Sequence, residues 1–182
     1  MTTVPRARSA DGAAPGRRHA AIRLAIMAVP TSAALAAAVF AAGPANAATV
    51  GASTGPIMAY GGMCLDDAGA GTANFNPIQV YGCNSTAAQT WTIDPSTNTV
   101  QTLGKCLDVQ GGGTADGTLV DLYDCNGTGA QQWIPQSNGS FYNPQSNKCL
   151  DDTAWWASGG TQATISDCNG SYGELYTVPT VN

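Results

Sequence analysis

The chain has 182 residues, 12 acidic and 7 basic side chains, and a net charge of −5. Its only histidine, His19, and all five arginines lie within the first 23 residues. Because no histidine follows residue 47, residues 48–182 cannot form a Ser-His-Asp or Cys-His catalytic site or most types of zinc site.

The first 47 residues have the pattern of an export signal. A basic segment precedes the Ala-rich run LAIMAVPTSAALAAAVFAAG, and small residues follow at Ala45 and Ala47. We interpret residues 1–47 as a secretory signal that is cleaved after Ala47. An uncleaved membrane anchor is the alternative, because about 18 apolar residues can span a bilayer. Pro30 and the low hydrophobicity of alanine favour cleavage, so we expect a secreted, extracellular protein.

The remaining chain, residues 48–182, is strongly acidic. Lys105 and Lys148 are its only cations against eleven carboxylates, which gives a net charge of about −9. Nucleic acid and anionic membranes repel such a protein, so neither is expected as a partner. We expect one domain, a monomer, that needs no metal and no other cofactor.

Six cysteines divide this acidic part regularly. They are Cys64, Cys83, Cys106, Cys125, Cys149 and Cys168. Neighbours are 19 residues apart in every pair, and the pairs begin 42 and 43 residues apart. Six cysteines permit fifteen connectivities, but the threefold repetition selects 64–83, 106–125 and 149–168. No C-x-x-C occurs, which favours structural disulfides over a reactive thiol or a metal site; each loop of about 20 residues would contribute about 3 kcal/mol.

Three repeats follow from this spacing, over residues 52–98, 99–141 and 142–182 approximately. Each repeat opens with C-L-D, and its second cysteine is followed eight residues later by Trp91, Trp133 or Tyr176. Short apolar segments (IQVY, LVDLY, ATIS) alternate with Gly, Asn, Asp and Pro clusters, which predicts an all-β structure. Since 42 residues cannot bury their own apolar face, the three units must share one core around a pseudo-threefold axis.

These residues together resemble a known family. C-L-D, a cysteine 19 residues later, and Q-x-W at Gln89–Trp91 and Gln131–Trp133 are similar to the ricin-B-type lectin module, in three copies that cover residues 48–182. The resemblance implies a β-trefoil of twelve strands, no catalytic activity, and up to three shallow sugar sites. It is especially similar to the modules that bacterial xylanases and arabinofuranosidases carry. It also implies that Trp91, Trp133 and Tyr176 fill the core.

The resemblance further implies which residues bind sugar. The aspartate of C-L-D accepts hydrogen bonds, a tyrosine two residues before the second cysteine stacks on the sugar ring, and polar side chains complete the site. In repeat one these residues are Asp66, Gln79, Tyr81 and Gln89. In repeat two they are Asp108, Asp121, Tyr123 and Gln131. Ala88 and Ala130 stand where many members have asparagine, so one hydrogen bond is expected to be missing in each site. We expect Asn84 and Asn126, next to the second cysteines, to substitute for it in part.

The third repeat departs from the pattern. It keeps Asp151, but Thr164 and Ser166 replace the polar residue and the stacking tyrosine, and Glu174 stands at the glutamine position. We therefore expect its sugar site to be lost while its fold is retained. Trp155 and Trp156 leave two interpretations open, either a different stacking surface beside Asp151 or one ring that packs over the disulfide.

Three alternatives to sugar binding are a glycosidase, a calcium site and a protein-interaction scaffold. The acidic pairs Asp66-Asp67 and Asp151-Asp152 would suit a glycosidase only if two unlike carboxylates faced one bond, and calcium loops need oxygen ligands at alternate positions. Neither pattern is present. A trefoil scaffold that acts as an interaction or inhibitor protein stays the main alternative, although it predicts degraded sugar motifs in all repeats. Xylan, arabinan and terminal galactose are the expected ligand classes, among which the sequence does not choose.

Overall fold

The fold is built from short strands joined by tight turns, as the alternating sequence pattern predicts. The computed structural model describes residues 51–153 and 159–179. The predicted leader over residues 1–47, Trp155 and Trp156 lie outside the described residues, which all belong to a unit that spans Asn46–Asn182. The strands are β1 (Ser53–Gly55), β2 (Met58–Ala59), β3 (Met63–Asp67), β4 (Asn76–Gly82), β5 (Trp91–Asp94), β6 (Thr99–Thr102), β7 (Lys105–Val109), β8 (Val120–Tyr123), β9 (Ile134–Pro135), β10 (Phe141–Asn143), β11 (Lys148–Asp151), β12 (Thr161–Gln162), β13 (Thr164–Ser166) and β14 (Tyr176–Thr177).

Helical structure in the described part of the chain is confined to single 3-10 turns. They are Ala68–Ala70, Ala87–Gln89, Gln110–Gly112, Gly129–Gln131 and Tyr172–Glu174. None of them approaches the length and apolar character that crossing a bilayer requires.

The strands form a β-trefoil, so the predicted fold class is confirmed. One sheet has the strand order β1-β5-β6-β7-β8-β4-β3-β2-β14 with β12 paired to β4, and the other has the order β13-β11-β10-β9. In each repeat the C-L-D strand pairs antiparallel with the strand that leads to the second cysteine: β3 with β4, β7 with β8, and β11 with β13. The three predicted disulfides link these hairpins, each with a Cα–Cα distance of 5.1 Å.

Residues 51–153 and 159–179 form fourteen strands rather than the twelve that the family resemblance implied. The third strand of repeat three is divided at Ala163, because β12 pairs with β4 whereas β13 pairs with β11. A short strand, β1, adds a further pairing with β5. The remaining strands follow one plan in every repeat, so both additions are local.

Equivalent positions of the repeats supply the shared core. Trp91 and Trp133 are fully buried, and Tyr176 is buried at the same place in repeat three. Each tryptophan donates its indole N–H to the carbonyl oxygen of the leucine in C-L-D, Leu65 at 2.8 Å and Leu107 at 3.0 Å. These bonds satisfy a polar group that would otherwise be costly to bury. In repeats one and two they also tie each tryptophan to the middle of the C-L-D strand, next to the aspartate that follows the leucine.

Candidate functional site

The first predicted site, site one (Asp66, Gln79, Tyr81, Asn84 and Gln89), is centred on a buried carboxylate. Asp66 on β3 lies directly across from Gln79 on β4. Gln79 donates its Nε2–H to Asp66 Oδ1 at 2.8 Å, and Gln89 donates its Nε2–H to Oδ2 at 2.9 Å. Both carboxylate oxygens are therefore oriented by amides, and each keeps lone pairs for further donors.

Gln89 is held in place by the turn after the second cysteine. Its Oε1 accepts the backbone N–H of Asn84 at 2.8 Å, and its Nε2 also donates to the carbonyl oxygen of Gly82 at 3.0 Å. The Asn84 side chain stabilises the same turn, because its Oδ1 accepts the backbone N–H of Thr86 at 3.0 Å. Asn84 thus supports the amide that orients Asp66, and it also lines the cavity in front of the carboxylate.

Tyr81 forms the exposed wall of site one. Its side chain is 46% exposed, and with Asp66 and Gln79 it lines a cavity of about 400 Å³. The backbone of Gly159, from repeat three, packs against the ring: a Cβ at this glycine would lie 2.9 Å from Tyr81 Cδ2. Only glycine fits this close approach without a shift of the ring. Site one therefore combines an oriented carboxylate with an exposed aromatic ring.

The second predicted site, site two (Asp108, Asp121, Tyr123, Asn126 and Gln131), repeats most of this arrangement. Gln131 Oε1 accepts the backbone N–H of Asn126 at 2.8 Å, and its Nε2 donates to the carbonyl oxygen of Asp124 at 2.9 Å. Asp108, Tyr123 and Asn126 line a cavity of about 420 Å³. Burial raises the pKa of Asp108, while a hydrogen bond from Gln131 opposes this effect.

Asp121 makes site two chemically different from site one. It is fully buried and lies across from Asp108, at the position that Gln79 occupies in site one. Gln110 donates to Asp121 Oδ2 at 3.1 Å, whereas Oδ1 has no hydrogen-bond partner among the described residues. Burial, with a smaller contribution from the charge of Asp108, raises the pKa of Asp121 to about 6. When Asp121 is protonated, its carboxyl O–H is a hydrogen-bond donor at the position where site one has the Gln79 amide. When Asp121 is ionised, it has no hydrogen to donate.

Phe75 is a residue of site two that sequence reasoning missed. It belongs to repeat one, yet it lines the cavity of site two and contacts Tyr123 edge-on, with ring centroids 5.0 Å apart. Its backbone N–H donates to the carbonyl oxygen of Leu122 at 2.9 Å. Glycines make the equivalent backbone bonds elsewhere: Gly160 donates to the carbonyl oxygen of Val80 beside site one, and Gly117 of repeat two donates to that of Ile165 in repeat three. Comparison of the repeats does not identify Phe75, because the equivalent positions in the other two repeats are glycines, which have no side chain.

The third repeat retains the hairpin but rearranges its polar groups around Asp151. Ser166 Oγ donates to Asp151 Oδ2 at 2.6 Å, and the backbone N–H of Thr153 donates to Oδ1 at 2.5 Å. Glu174 is fully buried and accepts the backbone N–H of Asn169, as the glutamines do in the other repeats. The hydroxyl of Thr164 is buried without a partner among the described residues. We refer to Asp151, Ser166 and Glu174 as site three.

The acidic pairs do not gather into a ligand set in the described part of the chain. Asp67 accepts the side-chain N–H of Asn76 at 2.6 Å, and burial raises its pKa. No group of three or more His, Cys, Asp or Glu side chains suited to a metal ion occurs among residues 51–153 and 159–179.

Comparisons with known proteins agree with this geometry. Residues 53–174 match the family described as ricin-type beta-trefoil lectin domain. Similar solved structures include an agglutinin from Abrus precatorius (27% identity, TM-score 0.64, covering 70% of this chain and 48% of that one). They also include a non-toxic homologue of type II RIPs from Momordica charantia in complex with α-methyl-D-galactoside. It has 26% identity and a TM-score of 0.63, and the match covers 71% of this chain and 48% of that one.

A designed threefold-symmetric protein, ThreeFoil, has the same fold at 23% identity, with a TM-score of 0.64 and coverage of 70% of this chain and 99% of that one. The chain spans about half the length of the Abrus and Momordica proteins. No curated protein sequence matches the chain.

Proposed function

The chain belongs to the ricin-type beta-trefoil lectin domain family, which supports carbohydrate binding in general, and on this premise we propose that it is a secreted, non-catalytic lectin with sugar sites at sites one and two. Its cysteines are all paired, as is usual for proteins of oxidising compartments. One observation carries the proposal: a buried aspartate with a glutamine amide as donor lies beside a tyrosine in two equivalent cavities, where Tyr81 is exposed and Tyr123 is half-buried.

The arrangement suits the surface of a pyranose. Such a ring has C–H groups on one face and hydroxyls around its edge, so it needs an aromatic ring beside strong hydrogen-bond acceptors. Tyr81 and Tyr123 would supply the ring, and Asp66 and Asp108 would accept hydrogen bonds from the hydroxyls. Each site is shallow and of one-sugar size, for which a dissociation constant of about 1 mM, or roughly −4 kcal/mol, is expected.

The two sites are expected to differ in preference. Site two adds the ring of Phe75 to Tyr123, and it replaces the Gln79 amide with Asp121. Xylan, arabinan and galactosides are the proposed ligand classes, the last of them also because the Momordica homologue is described with α-methyl-D-galactoside. A second aromatic wall favours an extended chain, so site two is proposed to prefer oligosaccharides over a single sugar.

Binding assays on the chain from residue 48 test the proposal. We expect retention on xylan, arabinan or a galactoside of a glycan array, and at least a tenfold loss of retention for Tyr81→Ala combined with Tyr123→Ala, because both stacking faces are removed. Tyr142→Ala serves as the matched control, since this tyrosine lies outside both sites and bonds Asn147 through its hydroxyl. A protein that binds none of these probes would refute the function, and unchanged retention of the double variant would refute the two sites.

A further inference from the structure

Two exposed tyrosines stack on each other where the third repeat meets the first. The rings of Tyr60 and Tyr172 are 4.3 Å apart between centroids and inclined by 16°, and the side chains are 45% and 51% exposed. The backbone N–H of Tyr60 donates to the carbonyl oxygen of Leu175 at 3.0 Å, which ties it to the turn that holds Tyr172. Met58, two residues before Tyr60, is also exposed.

The same two positions are in contact at the other junctions between repeats. Tyr60 lies four residues before the first cysteine of its repeat, and Tyr172 lies four residues after the second. At the equivalent places, Thr102 Oγ1 donates to the carbonyl oxygen of Ala87 at 3.0 Å. Gln145 packs on Gly129, where a Cβ would lie 2.5 Å from the Gln145 Oε1. Only the junction of repeats three and one has aromatic side chains at both positions.

This position borders a site. Gln145 lines the cavity of site two, so the pseudo-threefold relation places Tyr60 at the border of site three. The residue after Tyr172 contacts Asp151: a Cβ on Gly173 would lie 2.6 Å from Asp151 Oδ1. The turn that carries Tyr172 therefore packs against a carboxylate of the kind that sites one and two contain.

We propose that Tyr60 and Tyr172, named here the tyrosine platform, form a third carbohydrate-binding surface with Asp151 as its hydrogen-bond acceptor. The inference rests on the proposed function. Its ligand is a pyranose unit of a polysaccharide chain, whose C–H face lies on the outer face of a ring. Site three lost its stacking tyrosine at Ser166, and the platform restores an aromatic surface from the opposite border. Because each ring already holds the other in place, little side-chain freedom is lost on binding.

The exposed apolar area favours a sugar over a protein partner. Aromatic side chains have about 150–250 Å² of surface each, so the half-exposed platform with Met58 offers roughly 300 Å². A stable protein interface buries about 800 Å² on each partner. One or two pyranose rings match the smaller area.

Retention on immobilised xylan, arabinan and galactan tests the platform in a protein that lacks the other two aromatic walls. In the Tyr81→Ala, Tyr123→Ala background, residual retention is expected on a polymer that the unsubstituted chain binds. Adding Tyr60→Ala and Tyr172→Ala is expected to reduce this residual retention at least tenfold. Tyr60→Phe with Tyr172→Phe is the matched control, which keeps the ring faces and is expected to keep most of the retention. Thermal unfolding of every variant checks that the trefoil is intact.

Each outcome decides between the proposals. If the unsubstituted chain binds no polymer, the proposed function fails and the platform fails with it. If the unsubstituted chain binds but the fourfold variant is retained as well as the double variant, the platform alone is refuted. Sedimentation of the chain with and without the platform tyrosines identifies the other occupant, because a dimer that dissociates in the variant would assign the surface to a second copy of the chain.

Discussion

One residue position distinguishes the two best-formed sites. Four residues before the second cysteine, site one has Gln79, a permanent donor to Asp66, whereas site two has Asp121 opposite Asp108. An amide donates at every pH, but a carboxyl group donates only when it is protonated. The buried Asp121 therefore makes site two sensitive to pH in a way that site one is not.

The stability of the trefoil is predicted to fall between pH 4 and pH 7. The folded-state pKa of Asp121, about 6, lies above the ordinary value of 3.8, so the folded protein binds this proton more tightly than the unfolded chain. The contribution is fully present below about pH 4 and is lost as the pH rises through 6, by up to about 3 kcal/mol. Urea unfolding at intervals of half a pH unit measures the change.

Asp121→Asn isolates this effect from the other carboxylates. Asparagine does not titrate, and its amide can donate where Gln79 does in site one. We expect the variant to gain stability relative to the parent as the pH rises from 4 to 7. An unfolding free-energy difference between the two proteins that is the same at both pH values would contradict the prediction.

At the scale of elements, the disulfide-linked hairpin is the unit that carries a site. In repeat one, β3 presents Asp66 and β4 presents Gln79 and Tyr81, and the Cys64–Cys83 bond joins the strands beside them. The glutamine after the hairpin then orients the carboxylate. In repeat three Glu174 accepts the backbone N–H of Asn169 but has no amide to donate to Asp151, and Ser166 is the side-chain donor to Asp151 instead.

Removal of one disulfide is predicted to have a common effect on stability and a local effect on binding. Cys64→Ser with Cys83→Ser should lower the free energy of unfolding by about 3 kcal/mol, and Cys149→Ser with Cys168→Ser should do the same, because both bonds close loops of equal length. Denaturant unfolding measures both losses. Only the first variant should also weaken sugar binding at site one.

The second variant is the control for this prediction, since its hairpin carries neither Asp66 nor Tyr81. If both variants weaken site one equally, as followed by NMR titration of Tyr81, then general loosening of the trefoil rather than the local hairpin explains the effect.

The sequence predicted the strands and disulfides within each repeat better than it predicted the contacts between repeats. The cysteine spacing and the C-L-D strands indicated the trefoil and the disulfides, because these are local features that recur in every repeat. Phe75 and the tyrosine platform were not predicted, because they meet their sites across a boundary between repeats. Which loops meet there depends on how the three units close around the axis, and at those positions the repeats carry unlike residues.

At the scale of the whole trefoil, closure of the ring assembles every site from two repeats. Gly159 of repeat three packs on Tyr81 of site one, and Phe75 of repeat one packs on Tyr123 of site two. Pairing of β14 with β2 completes the ring and brings Tyr60 to Tyr172. The sites are consequently fixed relative to one another, which suits a ligand with many identical units.

Loss of a single site is predicted to matter more on a polymer than on a short sugar. Tyr81→Ala should leave the millimolar affinity of the remaining sites for xylobiose or methyl galactoside unchanged, yet weaken retention on the matching polysaccharide at least tenfold, because rebinding within one chain is lost. Calorimetry or NMR titration measures the first quantity and depletion from solution the second. Equal losses for the short and the long ligand would show that the sites act independently.

The antiparallel pairing of Tyr176 with Ala59 also has a consequence for the order of events in biosynthesis. A ribosome that has produced the first two repeats has not yet produced the strand that pairs with β2, so the trefoil cannot close until residue 177 has been made. Contacts of such long sequence separation form slowly. Closure late in synthesis would suit the secretion proposed above, because a chain that has not closed its fold is easier to thread through a translocation pore.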